Sequence, residues 1–471
     1  MEVPAVPQLA PTGHTSTPPH DGRAPARPGA ALTVTAAATA VALMNYTAPM
    51  LTLPDTAAAF GTPPSAQAWL LNGTPLGLAV LLLVAGSLAD AHGRRRIFLL
   101  GTLALGLTTA LGALADSTLT FTAARVAQGA ASAAVLAGSL GLLAHAYPAG
   151  RDRIRATGIW GASVSAGIAL GPLLAGALSL ADWRLVYGTL GAASLVIAGA
   201  GARALKADGT KREGSGSRPD IAGATALGLA LAALLTALTL GRDGWLRPQV
   251  GLLLFAAVAL TALFVAVERR SRTPMVDLAL LRRPAFLAST LGALFTGLAV
   301  IGLFSVVPAL LQGGAGMSPL GAAWLFVLWS GTAFVVALQA RRLPARLSAP
   351  YQLALGFALS AAGVLALLGG LEGPTASWSR LLPGLLVAGA GSGLLNAALP
   401  RLAVDSVPPE RAAMGSGANN TARYIGSSAG VALMLALATA GTGPDTAVVV
   451  SAALAVTGAV VTLALGRRPR R

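Results

Sequence analysis

Arg125 and Arg423 are the charged residues found inside otherwise apolar stretches of this 471-residue chain. Amides accompany them at helical spacing. Gln128 follows Arg125 by three residues, and Asn419 and Asn420 precede Arg423 by four and three, so each set shares a helix face. Asn72 and Asn396 add polar groups inside two further stretches. A guanidinium buried among apolar side chains is expensive and usually faces a cavity or a partner. The chemistry that suits this set is recognition of anionic, zwitterionic or neutral groups. Two other readings stay open: each arginine pairs with carbonyls and amides and meets no ligand, or Arg125, about two turns from the end of its stretch, snorkels outward. Acid–base or nucleophilic catalysis has no support, because no nucleophile–base pair stands out. Cysteine is absent and two of the four histidines (His14, His20) lie in a Pro-rich tail, which excludes disulfides and thiolate sites and argues against a histidine-built metal site. Neither a metal nor a cofactor is expected.

The elements that must carry these groups are long apolar runs. Hydrophobic residues make up 55% of the chain and charged residues 11%, against about 25% charged in soluble domains. Crossing a bilayer core takes roughly 20 apolar residues. Fourteen such runs occur, at 31–53, 67–89, 97–115, 119–146, 156–178, 185–202, 221–240, 248–267, 285–311, 320–340, 350–371, 381–400, 413–437 and 446–466. No Asp or Glu lies inside any of them. Alternate connections hold 27 and 4 basic residues, so the basic side is cytoplasmic and both termini lie there. The net charge of +16 is therefore mostly a topology signal, and no nucleic-acid motif accompanies it. Residues 1–30, with seven prolines and no apolar run, read as a disordered cytoplasmic tail, not a signal peptide. Residues 31–202 and 285–466 form two six-helix bundles, 203–284 a linker with two extra spans, and 467–471 a basic cytoplasmic tail. Glycine numbers 57, much of it inside the runs, where small residues let helices approach closely. The fold class is thus an all-α polytopic membrane protein.

Three motifs carry a family resemblance. GSLADAHGRRR at 86–96 resembles the cytoplasmic Gly-x-Leu-Ala-Asp-Arg-x-Gly-Arg-Arg signature of the major facilitator superfamily, with Ala91 in place of the first basic residue. The resemblance assigns Gly86, Asp90, Gly93, Arg94 and Arg95 to a conformational gate, and Gly86 reads as a site of close helix contact. RVAQGAASAA from Arg125 is similar to the family's Arg-x-x-Gln-Gly motif. GIALGPLLAG at 167–176 resembles the Gly-x-x-x-Gly-Pro-x-x-Gly-Gly antiporter motif, which in the family marks exporters and here comprises Gly167, Gly171, Pro172 and Gly176, with Ala175 as a departure. Fourteen helices in a 6 + 2 + 6 order look like the 14-helix drug:proton antiporter branch. So do WLLNGTPLGLAVLLLVAGSLAD from Trp69 and GSGANNTARYIGSSAGVAL from Gly415. The second-half copy of the signature, RRLPARL at 341–347, is degenerate.

That branch usually places an Asp in helix 1, nine residues before the Pro that ends it. Here the position is Asn45, counted from Pro54, and Tyr46 adjoins it as a possible contact. Proton-driven export of cations generally uses a membrane carboxylate whose ionisation is suppressed by desolvation. Its absence suggests a cavity suited to anionic, zwitterionic or neutral amphiphiles. The resemblance implies a secondary exporter of antibiotics or metabolites in a bacterial inner membrane, exchanging substrate for protons by alternating access and working as a monomer. An importer or uncoupled facilitator is the alternative. A membrane enzyme or scaffold is a minor one.

Overall fold

The computed structural model describes residues 28–147, 151–205, 221–241, 244, 246–271, 280, 282–340, 347–373, 378–408, 412–439 and 443–466. Most of the N-terminal tail, the 206–220 connection, the 341–346 part of the degenerate repeat and the 467–471 tail lie outside them, as does the side chain of Asp90. The described residues form α-helices without β-strands. In chain order these are α1 (Pro28–Thr47), α2 (Pro49–Phe60), α3 (Gln67–His92), α4 (Arg94–Ala113), α5 (Thr118–Ala146), α6 (Arg151–Leu178), α7 (Arg184–Ala204) and α8 (Ile221–Gly241). They continue as α9 (Pro248–Arg270), α10 (Pro284–Phe295), α11 (Gly302–Ala315), α12 (Pro319–Ala340), α13 (Ala349–Leu365), α14 (Trp378–Asp405), α15 (Ala412–Ala438) and α16 (Pro444–Gly466).

Each apolar run falls on these helices. The first spans α1 and α2, and the ninth spans α10 and α11, which a wide π-helical turn at Thr296–Ile301 joins. Among the described residues eleven helical segments are long and apolar enough to cross a membrane, and shorter apolar helices occur at Gln67–Leu82, Thr225–Leu238 and Ala349–Leu365. Helix 1 departs from the sequence reading at both of its prolines. It does not end at Pro54; it continues to Phe60 and closes at Gly61, whose φ of 58° suits a glycine. It bends earlier, at Pro49. Ala48 keeps helical angles (φ −53°, ψ −42°), so the chain turns without breaking. Proline lacks an N–H, and the carbonyl four residues back, that of Asn45, loses its helical donor.

Helices α1 to α7 pack chiefly on one another, and α10 to α16 do likewise. The groups meet chiefly at two seams, α3 against α15 and α6 against α12, with a smaller contact of α2 on α11. Small residues set the closest approaches. A methyl group on Gly77 of α3 would lie 2.8 Å from the Ala130 nitrogen and 2.9 Å from Gly129 Cα of α5. Such backbone contact maximises dispersion where the surrounding lipid offers no hydrophobic drive. The pair α8–α9 stands beside the α3/α15 seam; α9 packs chiefly on α8 and buries only Val250, Ala257 and Glu268. Its exposed Leu252, Phe255, Val258 and Leu263 suit a lipid-facing surface.

Candidate functional site

The bend at Pro49 sets up the first polar cluster. Arg125, on α5, donates from Nη2 to the freed Asn45 carbonyl at 2.7 Å and from Nη1 to Gln128 Oε1. Gln128 in turn donates to the Thr108 carbonyl of α4 at 3.1 Å. The guanidinium carbon stands 5.8 Å from the centre of the Tyr187 ring on α7, and the Tyr187 hydroxyl shares a 2.9 Å hydrogen bond with Thr52 Oγ1 of α2. Arg125, Gln128 and Asn45 are each 0% exposed. The arginine therefore links α5 to α1 and α7, and through Gln128 and Tyr187 to α4 and α2, rather than lying on an open surface.

Tyr46, one residue on, faces the other way. Its hydroxyl shares a 3.0 Å hydrogen bond with Ser427 Oγ on α15, and its ring meets Tyr424 edge-on at 5.8 Å. Arg423 stands 5.6 Å from the Tyr424 ring centre, and its Nη2 donates to Asn420 Oδ1 at 3.0 Å. Neighbouring residues on two helices thus join the arginines across the gap between the groups: Asn45 touches Arg125 and Tyr46 touches α15, while Tyr424 meets Tyr46 and adjoins Arg423. Among the described residues no carboxylate is bonded to either arginine. A further cross-group bond runs from Gln312 Nε2 of α11 to the Leu51 carbonyl of α2, at 3.1 Å.

The remaining amides are placed separately. Asn419 donates to both the carbonyl (3.0 Å) and Oγ (2.9 Å) of Ser289, tying α15 to α10 inside the second group. Asn420 is half-buried, and its Nδ2 donates to the Ser416 carbonyl. Asn72 is buried on α3, its Oδ1 without a donor, and Asn396 is exposed on α14.

In the 86–96 motif, Gly93 has φ 96° and separates α3 from α4. Arg94 donates to the Gly141 carbonyl of α5 at 3.2 Å, and Arg95 to the Leu205 and Ala202 carbonyls ending α7 at 2.8 and 2.9 Å. Arg95 thereby satisfies carbonyls that the end of α7 leaves open, and Arg94 ties the start of α4 to α5. Gly86 differs from the sequence reading. A methyl group there would meet nothing within 4 Å among the described residues, so no close approach to them depends on it. In the other glycine motif, Gly167 and Gly171 of α6 lie against α1, where a methyl on Gly171 would be 2.9 Å from Met44 Cα. Gly176 instead faces α12, 2.9 Å from Ala323 Cβ by the same measure. This one motif therefore touches helix 1 of its own group and the second group.

Sequence reasoning passed over Ser427, Tyr424, Tyr187, Gln312, Glu268 and the π turn. Ser427 was within reach: it lies four residues after Arg423, on the same face and inside the 415–433 stretch. Tyr187 and Gln312 carried no local signal. Glu268 sits one residue past its apolar window yet is buried in the last turn of α9. The π turn places Gly297 where a methyl would lie 2.5 Å from the Ser427 nitrogen, so α15 rests directly on it. Such wide turns are frequent at functional sites.

Comparison with known proteins accords with this geometry. A sequence profile described as the Major Facilitator Superfamily matches residues 35–431. The chain is 32% identical to the puromycin resistance protein pur8 of Streptomyces alboniger over 418 residues, covering 87% of this chain and 82% of the relative. It is 31% identical to the multidrug resistance protein Stp of Mycobacterium tuberculosis over 385 residues, covering 81% and 70%. The cephamycin export protein CmcT of Amycolatopsis lactamdurans is 32% identical over 410 residues, covering 83% and 81%. Among solved structures, a bacterial homolog of the human lysosomal transporter Spinster in an inward-facing, unoccupied conformation shares the fold. Its TM-score is 0.67 at 17% identity, with 93% of this chain and 97% of that chain covered. With most of its length matched and its apolar helices in two packed groups, this chain belongs to the Major Facilitator Superfamily and is a multi-pass transporter of the bacterial inner membrane, not an enzyme.

Proposed function

We propose that the chain is a secondary exporter of small amphiphilic molecules, with fourteen membrane crossings, both termini cytoplasmic, and residues 31–202 and 285–466 as the two rocking halves. It works as a monomer, by alternating access, and exchanges substrate for protons. The relatives named for resistance and export support the direction of transport. The placement of Gly167, Gly171 and Gly176 supports it physically: the helix carrying the exporter motif is pressed between α1 and α12, where a change of tilt would be felt by both halves.

The observation that carries the substrate reading is the pair Arg125 and Arg423, on either side of the Tyr46–Ser427 contact with no carboxylate bonded to either among the described residues. Such a seam favours anionic, zwitterionic or neutral amphiphiles over lipophilic cations, because a buried like charge has no partner to offset its desolvation. Arg423, half-buried, is the member open to a ligand; Arg125 acts from behind, through Asn45. The test is expression in a pump-deficient host, scored for protection against a panel of anionic, neutral and cationic antibiotics. Protection is expected for the first two classes, and selective protection against ethidium-like cations would overturn the charge reading. In vesicles, counterflow should depend on an imposed pH gradient. An unchanged rate after the gradient is collapsed would leave an uncoupled facilitator, the reading favoured by the asparagine at position 45.

A further inference from the structure

We propose that the groove between α8 and α9 binds an anionic phospholipid, with one acyl chain along the groove and the phosphate held by Arg269 and Arg270. That its leaflet is the cytoplasmic one rests on the orientation proposed above. The binding itself rests on the groove and its two charges alone.

The groove follows from how the two helices pack. Leu227, Leu231 and Leu234 wall it on α8, Leu254, Val258 and Val265 wall it on α9, and alanines among them leave a cavity of about 1040 Å³. That volume lies at the top of the range for small-ligand sites, roughly 300–1,000 Å³. Its length suits a lipid chain. Arg269 follows Val258 by eleven residues, about 16 Å of helix, or half of a bilayer core about 30 Å thick. Another face of α8 is taken, since a methyl on Gly228 would lie 3.3 Å from Val80 of α3. The lining residue Val258 is 70% exposed, so the groove opens toward lipid and away from the seam.

Charge decides the occupant. Arg269 and Arg270 line one end of the groove, are exposed, and have no hydrogen-bond or ion-pair partner among the described residues. Glu268, the one acidic residue of α9, is buried and outside the lining. Two adjacent guanidiniums at the head of an apolar channel suit a phosphate that carries a hydrocarbon chain. Arginine takes phosphate through paired N–H donors, and basic pockets between membrane helices hold anionic headgroups in this way. A second copy of the chain is the poorer occupant. A two-fold axis along the membrane normal would set each arginine pair against its own counterpart.

The chain has no cysteine, so a fluorophore can be placed at single positions. Val258→Cys puts it at the groove, and Ala259→Cys puts it at the same depth on an exposed position outside the lining. The full chain is reconstituted in phosphatidylcholine vesicles containing brominated phosphatidylglycerol or brominated phosphatidylcholine, in both leaflets. The result then depends neither on orientation nor on the direction of transport. Bromine on an acyl chain quenches a fluorophore that it touches. At position 258 phosphatidylglycerol should quench at about one tenth of the concentration that phosphatidylcholine requires, and at 259 the two should quench alike. Arg269→Gln combined with Arg270→Gln should abolish the preference. Equal quenching by both lipids at 258 overturns the proposal, as does a preference that is the same at 259 or that survives the double change. A label at 258 that neither lipid quenches also overturns it, because protein then fills the groove. Should the double variant not fold, the comparison of 258 with 259 decides.

Discussion

Tyr46→Phe tests whether the contact between the helix groups is a latch. The substitution removes the hydroxyl that shares a 3.0 Å hydrogen bond with Ser427 Oγ and keeps the ring that meets Tyr424 edge-on. Ser427 is 0% exposed, so its hydroxyl is left buried and unsatisfied, at a cost of about 1–3 kcal/mol. If the bond exists only while this seam is closed, the whole cost falls on that state. The open state then gains by about 5- to 150-fold. The chain has no cysteine, so a pair introduced at Ala59 and Ser318, exposed beyond the Gln312–Leu51 contact, gives a clean spin-label distance across the gap. Tyr46→Phe should move the distance distribution toward longer values. Ser427→Ala should do the same, and the double variant should shift no further than either single change, because removing both partners leaves nothing unpaired. An unchanged distribution in Tyr46→Phe, or effects that add in the double variant, would refute the latch.

Two other substitutions separate packing from transport. Gly171→Val forces side-chain atoms against Thr47 Oγ1 and Met44 of α1, an overpacking worth about 1–3 kcal/mol. Efflux from cells should fall steeply, while Gly161→Val, on the same helix with nothing within 4 Å, should leave it near wild type. Equal effects would separate the 167–176 motif from the movement. Asn419→Leu removes the two hydrogen bonds that Asn419 donates to Ser289 and should lower stability by about 1–3 kcal/mol, read as thermal unfolding, without changing which compounds are exported. An altered export profile at unchanged stability would return Asn419 to the substrate path.

The all-helical fold and the apolar runs that its helices occupy were legible along the chain, because a bilayer demands uninterrupted apolar length and pushes charge into the connections. The two arginines stood out for the same reason. Their surroundings were not legible. Asn45 and Tyr46 are neighbours in sequence, yet one faces Arg125 within its own group and the other reaches Ser427 across the seam. Asn419 and Asn420, also neighbours, divide between Ser289 and Arg423. A step of about 100° per residue around a helix sends adjacent side chains to different partners, and which helices stand there depends on how the bundle packs. The same holds at Pro49. That a proline frees the carbonyl four residues back follows from covalent structure alone. That Arg125, eighty residues further along, supplies the missing donor depends on α5 crossing α1 at that height, which the small residues at the α3–α5 contact permit and local sequence does not encode.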